Sequence, residues 1–245
     1  MKRKTFLKNI FWGGMACCVP MYSFSSFQKT FTLSQLIGKG NPDITGDTYT
    51  SKMHKDAKQA FSKMKTEAKK DGITIEVVSA YRSFDRQKEI FEKKYKKYLA
   101  QGETPEQAIQ KIIDYSTIPG TSRHHWGTDL DLIDGSVPRP EHVLQAKHFH
   151  GTGVFCKFKE WMDANSERFG FYLVYTDAPS RKGFRYEPWH YSYAPVSVPM
   201  LQEYKQLDVK KILKHEQILG SEYFTDDFIK RYRMENILDI NPKLL

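Results

Sequence analysis

The chain has 245 residues, enough for one domain with a short appendage, and its 40% hydrophobic and 14% aromatic content supplies a packed core and excludes a disordered chain. Its formal net charge is +9, but Lys2, Arg3, Lys4 and Lys8 crowd the first eight positions, so the remainder is only modestly basic. No Arg/Lys stripe interleaved with aromatics, no zinc-finger spacing and no phosphate-binding glycine loop occurs, so no nucleic-acid partner is expected.

The N-terminus predicts an export signal over residues 1–25. Lys2–Lys8 is its basic stretch, Ile10–Tyr22 its largely apolar run, and Ser23-Phe24-Ser25 places small residues where a signal peptidase cuts. Arg3-Lys4-Thr5-Phe6-Leu7-Lys8 resembles the twin-arginine export motif with Lys4 in place of one arginine, and Cys17 or Cys18 is a candidate for lipidation. The apolar run is shorter than the ~20 residues that span a bilayer comfortably. Membrane contact is therefore expected only through an N-terminal anchor or lipid, and the protein is expected in the periplasm or cell envelope. Oligomeric state is not legible.

Residues 26–245 read as a single domain with a helical C-terminal segment from about residue 201. Ser51–Lys70 has the spacing of an amphipathic helix, stopped by Asp71-Gly72. Ile73–Ala80 is β-branched and partly alternating, which predicts a strand. Arg82–Tyr98 is helical and highly charged, and Thr104-Pro105 starts a helix that runs to about Tyr115. A loop rich in Gly, Ser and His follows over Ser116–Gly127, then a short strand at Thr128–Ile133. Val154–Arg168 predicts a helix closed by Gly170. Within it Cys156, the only cysteine outside the signal, reads as a small buried hydrophobe with no disulfide partner. Phe171–Tyr175 and Tyr186–Tyr193 are strand candidates, and Val196–Leu245 is mainly helical with a cap at Thr225-Asp226. Too few strands for regular alternation indicate an α+β fold, a small sheet flanked by helices.

Three segments carry side chains that folding alone does not require. Ser122-Arg123-His124-His125-Trp126-Gly127-Thr128-Asp129-Leu130-Asp131 offers a histidine in a loop and carboxylates on one face of a strand, with Leu130 and Leu132 facing the core. Glu187-Pro188-Trp189-His190-Tyr191 adds a histidine and a carboxylate, with Pro188 arguing against a helix interior. Ser79-Ala80-Tyr81-Arg82-Ser83-Phe84-Asp85-Arg86-Gln87 puts Arg82 at a strand end, able to stabilise an oxyanion. Taken singly, each has a plainer reading: His124 and His125 as loop histidines, Arg82 as a solvated charge, Trp126, Trp189 and Tyr191 as packing, and Asp129 and Asp134 as turn formers.

Together the segments resemble the VanY-type D-alanyl-D-alanine carboxypeptidases, zinc peptidases that share their fold with the Hedgehog signalling domain. The family pattern is Ser-x-His, six residues, Asp, then Glu-x-x-His, matched by Ser122, His124, Asp131, Glu187 and His190. A preceding Ser-x-Tyr-Arg-Ser element with a later Gln is matched by Ser79, Tyr81, Arg82, Ser83 and Gln87, and the resemblance runs from about Met53 to Tyr193. It implies His124, Asp131 and His190 as Zn2+ ligands, Glu187 as general base and Arg82 as the group polarising the scissile carbonyl. Ser122, Tyr81 and Gln87 become substrate-pocket residues and His125 a neighbour of the ligands. One position departs: the family usually carries a small residue two before the ligand aspartate, where this chain has Asp129, a carboxylate that would tune the metal or compete for it.

The implied activity is a carboxypeptidase trimming D-amino acids from peptidoglycan stem peptides, polymers whose acidity suits a basic protein. The motifs do not separate D,D from L,D bonds. A D,D-dipeptidase, a wall-cutting endopeptidase and a non-catalytic zinc-containing binding module are the alternatives, the last with little need of Glu187 and Arg82. The Tyr98–Ile118 stretch and the C-terminal helices lie outside the shared pattern.

Overall fold

The computed structural model describes residues 30–245, so the expected export signal lies outside the described residues. In chain order the elements are α1 (Leu33–Ile37), β1 (Ile44–Thr45), β2 (Met53–His54), α2 (Lys55–Lys70), β3 (Ile75–Ser79), α3 (Phe84–Ala100), α4 (Pro105–Ile113), β4 (Asp129–Asp134), α5 (Cys156–Asn165), β5 (Phe171–Leu173), β6 (His190–Tyr193), α6 (Ala194–Tyr204), α7 (Val209–His215) and α8 (Asp226–Tyr232). The architecture is α+β, as the element pattern predicts. Four antiparallel strands in the order β3-β4-β6-β5 form the main sheet, and β1 and β2 form a separate hairpin-like pair.

Local chemistry starts several helices near where the sequence places them, although the helix expected from Ser51 begins only at Lys55, after β2. Ser83 accepts the Arg86 N–H at the head of α3, and Thr225 accepts the Phe228 N–H at the head of α8. Thr104 and Gln107 form a reciprocal capping box on α4, with Pro105 in the first turn where its missing N–H costs nothing. Several predicted boundaries move by a few residues, two of them for a visible reason. The helix from Cys156 becomes a 3-10 turn at Ser166–Phe169 before Gly170 closes it in the left-handed conformation. The last strand shortens to His190–Tyr193, because Pro188 has no N–H to give a sheet and the His190 N–H turns back to the Glu187 carbonyl at 3.0 Å. Cys156 also differs from expectation. It heads α5 half-exposed, and its neighbours Phe155 and Phe158 carry the burial instead.

Two cores flank the sheet. One lies under α2 and α5, where Met64, Leu130, Leu132, Phe155, Phe158 and Phe171 are essentially inaccessible; each large side chain buried there stabilises the fold by roughly 1.5–3 kcal/mol. The other joins α1, α3 and α4 to everything after β6, through Phe84, Phe91, Ile112, Met200, Leu213 and Tyr232. The C-terminal segment is thus half of a core, and α6 follows β6 without a break, so residue 201 falls inside a helix. Among the described residues no helix is long and apolar enough to cross a membrane.

Candidate metal centre

The site is built on the central strand pair. All six residues of β4 are buried. In its register with β6, Asp131 lies opposite His190 and Asp129 opposite Ser192. Because strand side chains alternate, Leu130 and Leu132 go to the core while Asp129 and Asp131 share the other face. The turn before β4 supplies the second histidine. Arg123–Trp126 is a 3-10 turn ended by Gly127 at φ 69°, where a side chain would strain the backbone and its Cβ would come within 2.3 Å of Ile44. The reversal at Glu187–His190 supplies the third group, folding the Glu187 carboxylate back onto the histidine three residues later.

His124, Asp131 and His190 converge, with one donor atom from each lying within 4.8 Å of the others. His124 Nε2 is 3.5 Å from Asp131 Oδ2, and His190 Nδ1 is 3.7 Å from Asp131 Oδ1. Tetrahedral zinc with bonds near 2.0–2.1 Å separates its ligand atoms by about 3.3 Å, so these two spacings, one to each Asp131 oxygen, lie near what the ion requires. Asp131 Oδ1 is buried and has no hydrogen-bond partner in the protein, a carboxylate oxygen waiting for a cation. Each histidine also has its other nitrogen engaged. His124 Nδ1 meets the Ala80 carbonyl at 2.8 Å, and His190 Nε2 meets Asp129 Oδ2 at 2.9 Å, the outer bracing that orients metal-binding imidazoles. Donor set, spacing and bracing all fit a zinc ion.

Electrostatics describe the same site without the ion. Burial opposes charge on His190, yet its hydrogen bonds to the Asp129 and Glu187 carboxylates outweigh that and push its pKa up to about 10. Burial raises Asp131 to about 7 against the pull of His190, with Glu187 adding to the rise. His124 is driven well below the ordinary histidine range by burial, then by Arg82 and His190. Burial alone would raise Asp129, but Arg123 and His190 hold it well below the usual carboxylate range. The metal-free site therefore keeps a charged His190 between two carboxylates, occupying with a proton the place that a cation fits.

The metal cluster opens on a cleft of about 680 Å3 lined also by Arg82, Ser122, Tyr175 and Glu187. Glu187 Oε2 lies 2.9 Å from His190 Nδ1, directly at the cluster. Arg82 donates from Nη1 to Gln87 Oε1 at 2.8 Å and from Nη2 to Ser79 Oγ at 3.2 Å, while its buried Nε has no partner. The ligand loop is tied to it by the Arg82 N–H, which donates to the His124 carbonyl at 3.1 Å. His125 braces the same loop from behind: Nε2 accepts the Gly120 N–H at 3.0 Å, so Nδ1 donates to the Arg82 carbonyl at 2.6 Å.

Two expected pocket residues lie elsewhere. Gln87 is wholly buried, and its Nε2 donates to the Thr117 carbonyl at 2.7 Å, so it holds Arg82 and cannot reach a substrate. Tyr81 does not line the cleft; its half-buried hydroxyl turns to the Gly38 carbonyl at 3.4 Å. Asp134 is the turn former the sequence suggests, accepting from Ser136 N–H at 2.9 Å, but Asp129 is not. The sequence gives no sign of Tyr175, whose ring packs edge-on against His190 at 5.0 Å, or of Arg123, which donates to Asp129 at 2.8 Å. The partners are only fifteen and six positions apart, but each contact depends on which way a residue outside the strands points, which spacing alone does not fix.

Known proteins resemble this chain. A family model described as VanY, D-alanyl-D-alanine carboxypeptidase, matches residues 50–196. The D-alanyl-D-alanine carboxypeptidase of Enterococcus faecalis (strain ATCC 700802 / V583) is 32% identical over 151 residues, covering 61% of this chain and 51% of that protein. The putative carboxypeptidase YodJ of Bacillus subtilis (strain 168) is 30% identical over 145 residues, 58% of this chain and 46% of its own. The chain thus spans about half the length of these two curated relatives. Among solved structures, VanYB in complex with D-alanine-D-alanine superposes with a TM-score of 0.50 at 26% identity, covering 73% of this chain and 92% of that one. The family match takes in every residue of the cluster and its surroundings from Ser79 to Tyr193, and the chain belongs to the VanY D-alanyl-D-alanine carboxypeptidase family.

Proposed function

We propose that this protein is a zinc-dependent carboxypeptidase that removes the terminal D-amino acid from peptidoglycan stem peptides, acting outside the cytoplasm after export on its N-terminal signal. The observation that carries the reading is the Glu187 carboxylate beside the His124–Asp131–His190 cluster, at the mouth of a cleft that Arg82 also lines. A binding module needs the ligands alone. A carboxylate 2.9 Å from a ligand nitrogen and a braced guanidinium are what hydrolysis adds.

His124, Asp131 and His190 would hold the ion, which when bound supplies Lewis acidity and makes water acidic enough to ionise near neutral pH. Glu187 then accepts the proton of the attacking water and returns it to the leaving amine. Arg82, fixed by Gln87 and Ser79 with Nε left over, donates to the carbonyl oxygen as negative charge develops there. Ser122 lines the cleft beside His124 and is placed to contact the peptide.

A digest of muropeptides by the purified protein, with and without a chelator and read by mass spectrometry, tests this. The expected product has lost one alanine, the chelator blocks its formation, and the length of the substrate consumed distinguishes D,D from L,D cleavage. Glu187→Gln is expected to retain zinc and lose at least a hundredfold in turnover. Near-normal turnover in that variant would overturn the base assignment. Release of internal fragments would make the protein an endopeptidase, and an unchanged digest by zinc-loaded protein would make it a binding module.

A further inference from the structure

We infer that Asp129 is a positioning residue of the metal centre: anchored by Arg123 and Ser192, it fixes the His190 ring so that Nε2–H points to Asp129 and Nδ1 points to the metal. The inference rests on the zinc-peptidase reading above and says how this chain prepares one of the three ligands.

Asp129 is fully buried, and both its oxygens are used. Oδ1 accepts from Ser192 Oγ at 2.6 Å and Thr128 Oγ1 at 2.9 Å. Oδ2 accepts from Arg123 Nε at 2.8 Å and is 2.9 Å from His190 Nε2. An ionised carboxylate only accepts hydrogen bonds, so the last contact requires the ring's proton on Nε2. In the neutral ring the lone pair then sits on Nδ1, the nitrogen that faces Asp131 and Glu187. Asp129 is therefore no fourth ligand. Its oxygens are saturated, and it meets the imidazole through the nitrogen that a metal at Nδ1 does not use.

The anchor beneath it is rigid. Arg123 is 4% exposed, donates from Nη2 to Ser192 Oγ at 2.8 Å, and lays its guanidinium 4.9 Å from the Trp126 ring centre. Ser192 lies opposite Asp129 in the β4–β6 register, so the strand pair that brings Asp131 to His190 also brings this brace. The Arg123 charge balances that of Asp129, leaving the pair nearly neutral toward the ion. What it contributes is orientation and tautomer, with a carboxylate where His124 has only a backbone carbonyl.

Removing Asp129 alone would leave the Arg123 charge buried without a partner and endanger the fold. The test therefore uses Arg123→Leu as parent, in which Asp129 keeps three of its donors, and adds Asp129→Ala or Asp129→Asn. Zinc affinity is measured by competition with a chromophoric chelator, and the imidazole N–H of His190 is followed by nitrogen-edited NMR of the zinc-loaded proteins. Wild type and parent are expected to show a downfield N–H resonance slow to exchange. The alanine variant, folded by circular dichroism, loses that resonance and binds zinc about 10–100-fold more weakly. The asparagine variant, whose carbonyl still accepts the N–H, keeps the resonance and most of the affinity. If the alanine variant does not fold, the asparagine variant decides alone, through retention of the resonance or its loss at unchanged affinity. A folded alanine variant with parental affinity and an intact resonance overturns the inference while leaving the metal centre standing. Zinc binding that His190→Ala leaves unchanged overturns the metal-centre reading, and this inference with it.

Discussion

Loading this site with zinc must expel protons, and their number follows from the groups that hold them. Hydrogen bonds to two carboxylates push His190 up to about 10 and burial pushes Asp131 up to about 7, while burial drives His124 well below the ordinary histidine range. At pH 6 the two protonated ligands together hold about 1.9 protons, and at pH 8 about 1.1. All of these must leave, because a metal needs His190 Nδ1 and the Asp131 carboxylate bare. Affinity should accordingly strengthen by more than tenfold between pH 6 and pH 7, then more gently as Asp131 empties. A coordinated water with pKa near ~7 is still mostly un-ionised at pH 6, so the count is best made there. Calorimetric titration of zinc into metal-free protein, in buffers of differing ionisation enthalpy, measures the release directly. A value near zero at pH 6 would refute the reasoning, since it would mean that His190 is already deprotonated beside Glu187 and Asp129.

The same shift has a consequence for the metal-free fold. His190 titrates higher folded than its ordinary value of 6.5, so its stabilisation is full below about pH 6.5 and is lost as pH rises through about 10. Urea midpoints of chelated protein should fall across that window, and zinc should flatten the decline. Gln87→Leu removes the acceptor of Arg82 Nη1 and orphans the Thr117 carbonyl. Peptide turnover should fall at least tenfold while zinc affinity stays unchanged; equal turnover would show that Arg82 needs no brace. Tyr232→Phe deletes a buried hydroxyl that accepts the Ile118 N–H at 3.1 Å and pairs with Thr121 Oγ1 at 2.8 Å. It should cost about 1–3 kcal/mol in urea denaturation, and a cost near zero would mean that the Ile118–Thr121 loop finds other partners.

The convergence of His124, Asp131 and His190 was legible in the sequence because it is local or follows strand alternation. Asp131 follows Leu130 on a strand whose apolar residues must face the core, and Glu187 and His190 are joined by a turn three residues long. Two helix starts were legible for the same reason, since Thr104 and Thr225 cap through atoms within three residues of themselves. Asp129 was not, because a buried carboxylate and a turn-forming one look alike until Ser192 and His190 are brought opposite by the β4–β6 register. Gln87 was misplaced for a related reason. It lies one turn into α3, and only the packing of α3 against the 116–117 loop decides that its amide faces inward. Motif spacing places a residue near a site, but it does not say whether its side chain meets the substrate or the residue that does.

That distinction bears on the C-terminal helices, most of which lie beyond the family match, since it ends at residue 196 within α6. Tyr204 on α6 donates to the Gly120 carbonyl at 2.8 Å, and Tyr232 at the end of α8 holds Ile118 and Thr121. These are the residues immediately before Ser122 and His124. The Gly120 N–H meanwhile reaches His125, whose other nitrogen grips the Arg82 carbonyl. A short path of hydrogen bonds thus joins the last helices to the loop that carries His124 and to Arg82 beside it. All but the partly buried His125–Arg82 bond are buried, so each of those carries the full penalty of an unsatisfied group if its partner moves. The C-terminal segment is for this reason part of the scaffold of the site, and its removal should disorder the ligand loop before it disturbs the β4–β6 pair that presents Asp131 and His190.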